Sequence, residues 1–303
     1  MHRRDVFRSV VAAAAGMTGI GARVQPSTPR PRVIEAADGT RLFYRDWGTG
    51  VPIVFVAPWA LNADWWDYHV TAMSEQGFRA IAYDRRGHGR SEDPGRGYDF
   101  DTLAGDLSAL LTQLNIAGAV LVGHSMGAAE VVRYLARYQS ARVARAMLIA
   151  PTTPFLLKTG DNPDGVAKEV LERGREGLRQ NRIARIAEAA PSFFGAANPV
   201  GRETMDWWTR MMVDRCSTKV MLDLHRAFTE TDFRGELPQI RVPMTIVHGD
   251  ADISAPLELT GRRTHNLIAG SELIVFEGAA HGLPFTHAER LQKLLAAAGR
   301  SIA

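Results

Sequence analysis

The chain has 303 residues, of which 46% are hydrophobic and 23% charged, a composition typical of one large globular domain or two small ones. Residues 1–30 hold five arginines and one acidic residue, so the rest carries 31 basic and 32 acidic side chains, a net charge of −1. The sequence therefore lacks the excess of basic residues that indicates a nucleic-acid partner. No apolar run reaches membrane-spanning length. Cys216 is the single cysteine, so an internal disulfide is excluded and a buried, unreactive side chain is expected.

The first 30 residues predict an export signal followed by a linker. Arg3 and Arg4 precede a modestly apolar stretch, 10–20, that is rich in Ala and Gly. The arrangement resembles a twin-arginine signal and favours a periplasmic or secreted location, with a basic tail on a cytoplasmic protein as the alternative. The Pro-rich stretch 25–32 indicates a linker, and residues 31–303 are expected to form the folded domain.

Strand-like and helix-like patterns alternate from Val33 onward. After a first strand at Val33 and a turn at Asp38-Gly39, the predicted strands are 41–47, 52–57, 78–83, 119–122, 146–150, 244–248 and 272–276. The predicted helices are 64–76, 100–115, 126–138, 257–268 and 287–298. Repeated alternation of this kind predicts an α/β protein with a mostly parallel central sheet and helices on both of its faces.

The alternation stops between Pro151 and Val242. This segment is too long for a simple connection, so we predict a helical cap over about 152–240, inserted above the carboxyl edge of the sheet. Its large apolar side chains are expected to pack mainly into a local core; they are Phe193, Phe194, Trp207, Trp208, Met211 and Met212.

The stretch Gly123-His124-Ser125-Met126-Gly127 joins an apolar strand to a helix. Gly-x-Ser-x-Gly at such a turn is typical of a nucleophile elbow, in which a strained Ser125 raises its hydroxyl above the sheet edge. Gly123 and Gly127 are expected to be glycine because neighbouring backbone crowds the turn. The Met126 N–H, at the helix N-terminus, can donate to a developing oxyanion.

A serine nucleophile needs a histidine base, and the base needs an acid to orient it. His281 follows a predicted strand and is bracketed by small residues, which predicts room for substrate beside its ring. An acid at 250–252 also follows a strand, and parallel strands bring their carboxyl ends to one edge. The order Ser, Asp, His is that of α/β-hydrolases. This chemistry requires no metal or organic cofactor, and no histidine pair has metal-ligand spacing on a helix.

Five segments together resemble the aryl-esterase and cofactor-free haloperoxidase (perhydrolase) branch of the α/β-hydrolases. They are Gly123-His124-Ser125-Met126-Gly127, Asp84-Arg85-Arg86-Gly87-His88-Gly89-Arg90-Ser91, Thr229-Glu230-Thr231-Asp232-Phe233-Arg234, His248-Gly249-Asp250-Ala251-Asp252 and Ala280-His281-Gly282. The resemblance extends from about Val33 onward, cap included, and implies the α/β-hydrolase fold. It also implies that the acid is Asp252, with Asp250 a turn residue, and that the second oxyanion donor beside Met126 is the Trp59 backbone N–H.

One loop departs from the family pattern. Members usually carry His-Gly after the third strand, whereas this chain has Ala57-Pro58, and Pro58 has no N–H to donate. Perhydrolase members often have proline directly after the loop tryptophan. Ala60 stands there in this chain, which favours plain hydrolysis. The polar loop 84–91 is expected to be structural.

These observations predict a serine hydrolase of small acyl or aryl esters, with lactones as further candidates, that works through an acyl-enzyme. A cofactor-free perhydrolase or haloperoxidase is the alternative that the resemblance implies. An alternative of a different class is a hydrolase-fold protein that binds a ligand without turning it over. The expected partner is a small-molecule ester.

Overall fold

The computed structural model describes residues 32–138, 142–197 and 199–302; the predicted export signal lies outside them. An eight-stranded sheet is built from β1 (Val33–Glu35), β2 (Arg41–Trp47), β3 (Pro52–Val56), β4 (Arg79–Tyr83), β5 (Ala119–His124), β6 (Val143–Ile149), β7 (Met244–Gly249) and β8 (Glu272–Phe276). The strand order is β1-β2-β4-β3-β5-β6-β7-β8. β2 pairs antiparallel with β1 and β4, and all other neighbours pair in parallel. The predicted, mostly parallel sheet is confirmed.

The central strands β3, β5 and β7 are short apolar runs that the fold buries almost completely. Parallel strands covered on both faces require such continuous apolar sequences. β3 and β5 lie side by side, with Val56 opposite Gly123. From β3 the chain continues to β4 on one side, and from β5 it continues to β6 on the other side, so the direction of the connections reverses between them. In open parallel sheets, ligands bind at the carboxyl edge where this reversal occurs.

Helices connect the strands and cover the sheet. They are α1 (Asp67–Glu75), α2 (Phe100–Gln113), α3 (Met126–Tyr138), α4 (Lys168–Phe194), α5 (Arg202–Arg215), α6 (Thr218–Glu230), α7 (Gly261–Leu267), α8 (Leu283–Thr286) and α9 (Ala288–Arg300). α1 packs with α9, and α2 packs with α3. The β3-α1-β4 crossover runs in the opposite direction along the sheet from β5-α3-β6, and right-handed crossovers in opposite directions place their helices on opposite faces.

Three predicted elements start three or more residues away from their predicted first residue. The helix expected at 64–76 begins as a 3₁₀ turn, Ala63–Trp66, before α1. The strand expected at 146–150 starts earlier, because Val143 already pairs with Ala119. The helix expected at 257–268 starts only at Gly261. Thr260 before it is non-helical (φ −123°, ψ −83°), and a Cβ on Gly261 would lie 2.2 Å from the Nδ1 atom of His248.

Three helices, α4, α5 and α6, fill the segment between β6 and β7 where the sequence predicted a cap. α4 is interrupted at Asn181 (φ −157°, ψ 79°), whose side-chain oxygen accepts from the Ala184 N–H at 3.1 Å and caps the second part of the helix. Most of the large apolar cap residues are core residues, as expected. Phe193, Phe194, Trp208, Met211 and Met212 are buried, and Trp207 is half-buried against the core.

The polar loop 84–91 is structural. Arg86 is buried and forms ion pairs with Asp106 at 2.6 Å and with Asp38 at 3.0 Å. Asp84, which is fully buried, accepts from the Ala63 N–H at 2.8 Å and thereby fixes the start of the neighbouring 3₁₀ turn. Cys216 is also buried, which raises the pKa of its thiol and keeps it unreactive. None of the helices in the described residues has the length and apolarity to cross a bilayer.

Candidate active site

The turn between β5 and α3 has the geometry of a nucleophile elbow. Ser125 has φ 56°, in the left-handed region that is costly for a residue with a side chain. Its N–H donates to the Ile149 carbonyl at 2.8 Å, which ties the strained residue to β6. A Cβ on Gly123 would lie 2.5 Å from the Gly127 carbonyl oxygen, so backbone does crowd the turn. The strained backbone conformation of Ser125 is therefore maintained by contacts with the neighbouring backbone.

Three predicted residues meet at the carboxyl edge of the sheet. The Oγ atom of Ser125 lies 2.8 Å from His281 Nε2, and His281 Nδ1 lies 2.6 Å from Asp252 Oδ2. Ser125 follows β5, Asp252 follows β7 and His281 follows β8. All three side chains belong to buried residues, so the hydrogen-bonded line from carboxylate to hydroxyl is shielded from bulk water.

The Asp252 carboxylate is fixed on both of its oxygens. Oδ1 accepts from the backbone N–H groups of Ser254 and Ala255 at 2.8 and 2.9 Å, and Oδ2 faces His281 and, at 3.3 Å, His248. Burial alone would raise the pKa of Asp252, but the charge interactions and hydrogen bonds of the two histidines outweigh it and hold the pKa well below its usual range. The acid is therefore ionised at neutral pH.

Asp250 lies outside this arrangement. It is exposed, and its Oδ1 atom accepts from the Gly278 N–H at 2.7 Å, which closes the turn between the loops that follow β7 and β8. This is the position of a turn residue.

The small residues around His281 make room for the cap, whereas the sequence had suggested room for substrate. The Gly282 N–H donates to the Phe193 carbonyl at 2.6 Å. A Cβ on Gly282 would lie 2.9 Å from the Phe194 ring, and a Cβ on Gly195 would lie 2.6 Å from that of Ala280. The end of α4 thus rests directly on the histidine loop, and the Phe193 ring meets the His281 ring edge-on with centroids 5.4 Å apart.

The two predicted oxyanion donors lie on adjoining backbone segments. A Cβ on Gly127 would lie 2.5 Å from the carbonyl oxygens of Val56 and Ala57, so the loop after β3 touches the first turn of α3. Met126 begins α3, where helix geometry leaves the N–H without an intrahelical acceptor. Within the described ranges, no protein acceptor is found for the Met126 or the Trp59 backbone N–H.

Proline and a left-handed residue shape the loop that carries Trp59. The Leu61 N–H donates to the Pro58 carbonyl at 3.3 Å, and Ala60, at the third position of this tight turn, has φ 57°. The Trp59 indole N–H donates to the Met221 carbonyl of α6 at 3.0 Å. The turn below and the cap above therefore hold the Trp59 residue in place.

A buried ion pair connects the two donor segments. Arg85 donates to Glu130 of α3 at 2.7 Å and to the Ala57 carbonyl at 2.8 Å, and Tyr83 also donates to Glu130. Burial opposes the charge on Arg85, but Glu130 outweighs it and raises the Arg85 pKa. A structural role for the Arg85 loop is predicted from the sequence, but the link to Glu130 was missed. Glu130 carried a signal, since a charged residue in an otherwise apolar stretch of helix needs a buried partner.

The titratable side chains that the structure describes form no metal centre. Among the described residues, no group of three or more His, Cys, Asp or Glu side chains is arranged to hold a metal ion. The site therefore contains one serine hydroxyl, one imidazole, one carboxylate and the two backbone N–H groups predicted as oxyanion donors. This set can carry out acyl transfer.

The fold and this site define the class of protein. Residues 51–288 match the alpha/beta hydrolase fold family, and the chain belongs to it. It is similar to the non-heme chloroperoxidase CPO-A1 of Kitasatospora aureofaciens, with 39% identity over 251 residues that cover 81% of this chain and 90% of the relative. The bifunctional esterase/perhydrolase DCH of Acinetobacter calcoaceticus is 38% identical over 88% of this chain and 99% of its own. The structure of the esterase EaEST from Exiguobacterium antarcticum superposes with a TM-score of 0.84 and 29% identity, over 88% of this chain and 98% of that one. The resemblance inferred from the sequence is confirmed.

Proposed function

We propose that this protein is a serine hydrolase of carboxylic esters that works through an acyl-enzyme. The observation that carries the proposal is the continuous line from Asp252 through His281 to Ser125, with hydrogen bonds of 2.6 and 2.8 Å. Relatives named as an esterase and as a bifunctional esterase/perhydrolase support the same chemistry.

The tautomer of His281 follows from its partners. An ionised Asp252 only accepts hydrogen bonds, so the proton of neutral His281 lies on Nδ1, and Nε2 presents its lone pair to the Ser125 hydroxyl. As Ser125 Oγ attacks the acyl carbon, Nε2 takes up the hydroxyl proton. The carbonyl π-bond opens, and its electron pair moves onto the oxygen, which becomes the oxyanion.

The remaining steps use the same groups. The Met126 and Trp59 N–H groups stabilise the oxyanion, and the imidazolium returns its proton to the departing alcohol as the ester C–O bond breaks. Water then attacks the acyl-enzyme while His281 takes one of its protons, and Ser125 leaves with that proton restored. Asp252 orients the ring and stabilises its charged form throughout.

The walls near the site favour small acyl or aryl esters, with lactones as further substrates. Trp59 lies edge-on to Phe228 and to His225 on α6, with ring centroids 6.2 and 5.9 Å apart, and the Phe193 ring lies edge-on to His281 at 5.4 Å. Aromatic edges and faces close to the reacting atoms suit flat or short groups.

The substrate range is tested with p-nitrophenyl esters of increasing acyl length, run beside a set of lactones. The matched control is Ser125→Ala, which keeps the fold and removes the nucleophile. We expect highest kcat/KM on short or aryl substrates and loss of nearly all activity in the control. Binding of these esters without turnover would favour the non-catalytic ligand-binding alternative.

Perhydrolysis is the second candidate activity. In this reaction hydrogen peroxide replaces water in attack on the acyl-enzyme and a peracid leaves, which then oxidises halide. The bifunctional name of the Acinetobacter relative supports it, whereas Ala60 in place of the proline common in perhydrolases favours water. The test is ester turnover in the presence of hydrogen peroxide and bromide. Bromination reports the peracid formed, and its ratio to the carboxylic acid formed gives the ratio of the two activities.

The leader supports a further proposal, that the protein is exported. Arg3 and Arg4 precede an Ala- and Gly-rich stretch, and a twin-arginine receptor recognises the guanidinium pair, which lysine charge does not replace. Replacing both arginines by lysine is expected to leave the precursor in the cytoplasm, with the folded domain unchanged. Wild-type protein found only in the cytoplasm, with its N-terminus intact, would contradict export.

A further inference from the structure

His124 bridges an indole and the backbone of His281. It is fully buried, its Nδ1 atom lies 3.2 Å from Trp65 Nε1, and its Nε2 atom lies 3.0 Å from the carbonyl oxygen of His281. The two rings are nearly parallel, with an interplanar angle of 17° and centroids 5.7 Å apart. The mechanism described above makes no use of this side chain.

The two partners determine the protonation of His124. An indole N–H only donates and a carbonyl oxygen only accepts, so Nδ1 must be bare and Nε2 must carry the proton. Only the neutral imidazole satisfies both partners. Burial lowers the pKa of His124 well below its usual value, and a positive charge on His281 during the reaction lowers it further, so His124 stays neutral.

His281 is thereby held at three points. Asp252 holds its ring, the Phe193 carbonyl accepts from the N–H of the next residue, and His124 donates to its own carbonyl. The ring contact alone leaves the backbone free to shift. The contacts from Phe193 and His124 both act on the peptide group that joins His281 to Gly282, one at its N–H and the other at its carbonyl oxygen.

The position of His124 in the chain gives this contact its significance. His124 precedes Ser125 in the chain, and its side chain donates to the carbonyl of His281, the proposed base for Ser125. We propose that His124 is a positioning residue that sets the distance between nucleophile and base. The proposal rests on the ester-hydrolase function proposed above.

Two substitutions separate this role from simple core packing. The amide nitrogen of glutamine lies as many bonds from Cβ as His Nε2 does, whereas the amide of asparagine reaches only as far as Nδ1. His124→Gln can therefore still donate to the His281 carbonyl, and His124→Asn can still accept from Trp65 but leaves that carbonyl unpaired. A residue needed only to satisfy Trp65 would be rescued by asparagine.

The test measures kcat and KM for p-nitrophenyl acetate, and the low-field ¹H NMR resonance of the His281 Nδ1 proton. We expect His124→Gln to stay close to wild type in both. His124→Asn should lose about 10-fold to 100-fold in kcat with little change in KM, because the loss is one of alignment. Its low-field resonance should broaden, and thermal unfolding checks that the variant is folded.

Wild-type kcat in folded His124→Asn, or a folded His124→Gln as slow as His124→Asn, would overturn the proposal. The NMR resonance reports on the His281 position even without turnover. If wild type neither hydrolyses esters nor reacts at Ser125 with a fluorophosphonate, the ester-hydrolase function fails. If wild type is active and the two variants match it, only the role of His124 fails.

Discussion

Asp252→Asn tests how the acid controls the proton on His281. The side-chain oxygen of the new amide must still accept from the Ser254 and Ala255 N–H groups, which lie 2.8 and 2.9 Å from Oδ1, so its NH₂ group turns toward His281. An NH₂ group donates and cannot accept, and His281 Nδ1 must then be the bare nitrogen. The proton moves to Nε2, which now donates to Ser125 Oγ and cannot take its proton.

The expected loss in kcat is about 10⁴-fold, the size found when the acid of a serine-protease triad is replaced by its amide. This corresponds to about 5.5 kcal/mol of transition-state stabilisation. KM should change little, because the tautomer matters for proton transfer and much less for binding. Steady-state hydrolysis of p-nitrophenyl acetate at neutral pH measures both constants, and thermal unfolding checks that the variant is folded.

Asp250→Asn is the matched control. Asp250 is exposed and only accepts from the Gly278 N–H, a contact that an amide oxygen can replace. Its kcat should equal that of wild type. If Asp250→Asn lost activity while a folded Asp252→Asn kept full turnover, both the assignment of the acid and the tautomer argument would be refuted.

Buried and strained groups outside the triad give three further predictions. Glu130→Gln leaves the buried Arg85 charge without its carboxylate and should lower the free energy of unfolding, measured in urea, by about 3–5 kcal/mol. Ala60→Pro cannot adopt φ 57° and should displace the adjacent oxyanion donor, with a loss of about 100-fold in esterase kcat. Burial lowers the pKa of His69 to about 4 and that of His88 to about 3, from 6.5. The unfolded chain therefore takes up these protons first, and the melting temperature should fall as the pH decreases from 6.5 toward 4.

Each of the three has a control. Glu289→Gln removes an exposed partner of Lys293 and should leave stability unchanged, so an equal loss in Glu130→Gln and Glu289→Gln would contradict the first argument. Ala60→Gly accepts a positive φ and should keep its kcat, whereas a fast Ala60→Pro variant would contradict the second. His69→Gln should flatten the pH dependence of the melting temperature, and an unchanged slope would contradict the third.

Local sequence pattern was sufficient for most of the fold and for the residues proposed as catalytic. The strand 272–276 and the helix 126–138 have the predicted bounds, because periodicity and turn residues act over a few positions. Ser125, Asp252 and His281 could be placed together because each follows a strand of one parallel sheet. The choice of Asp252 over Asp250 came from family resemblance, since both aspartates lie in the same loop.

Contacts between distant segments could not be predicted. The sequence shows that His281 has small neighbours but not that the end of α4 occupies the space beside it. Likewise, nothing local to His124 indicates that the Trp65 indole, 59 positions away, will donate to it. Such contacts depend on how the cap and the loop after β3 pack against the carboxyl edge of the sheet. This packing joins segments that are distant in sequence, so no local pattern predicts it.

The proposed function depends above all on Ser125 as the nucleophile of an acyl-transfer site. Its most direct test is reaction with a p-nitrophenyl alkylphosphonate, which forms a stable adduct in place of the short-lived acyl-enzyme. We expect release of one equivalent of p-nitrophenolate per chain, an adduct that peptide mass spectrometry places on Ser125, and no labelling of Ser125→Ala. An adduct on another residue, or ester hydrolysis at the wild-type rate in Ser125→Ala, would contradict it.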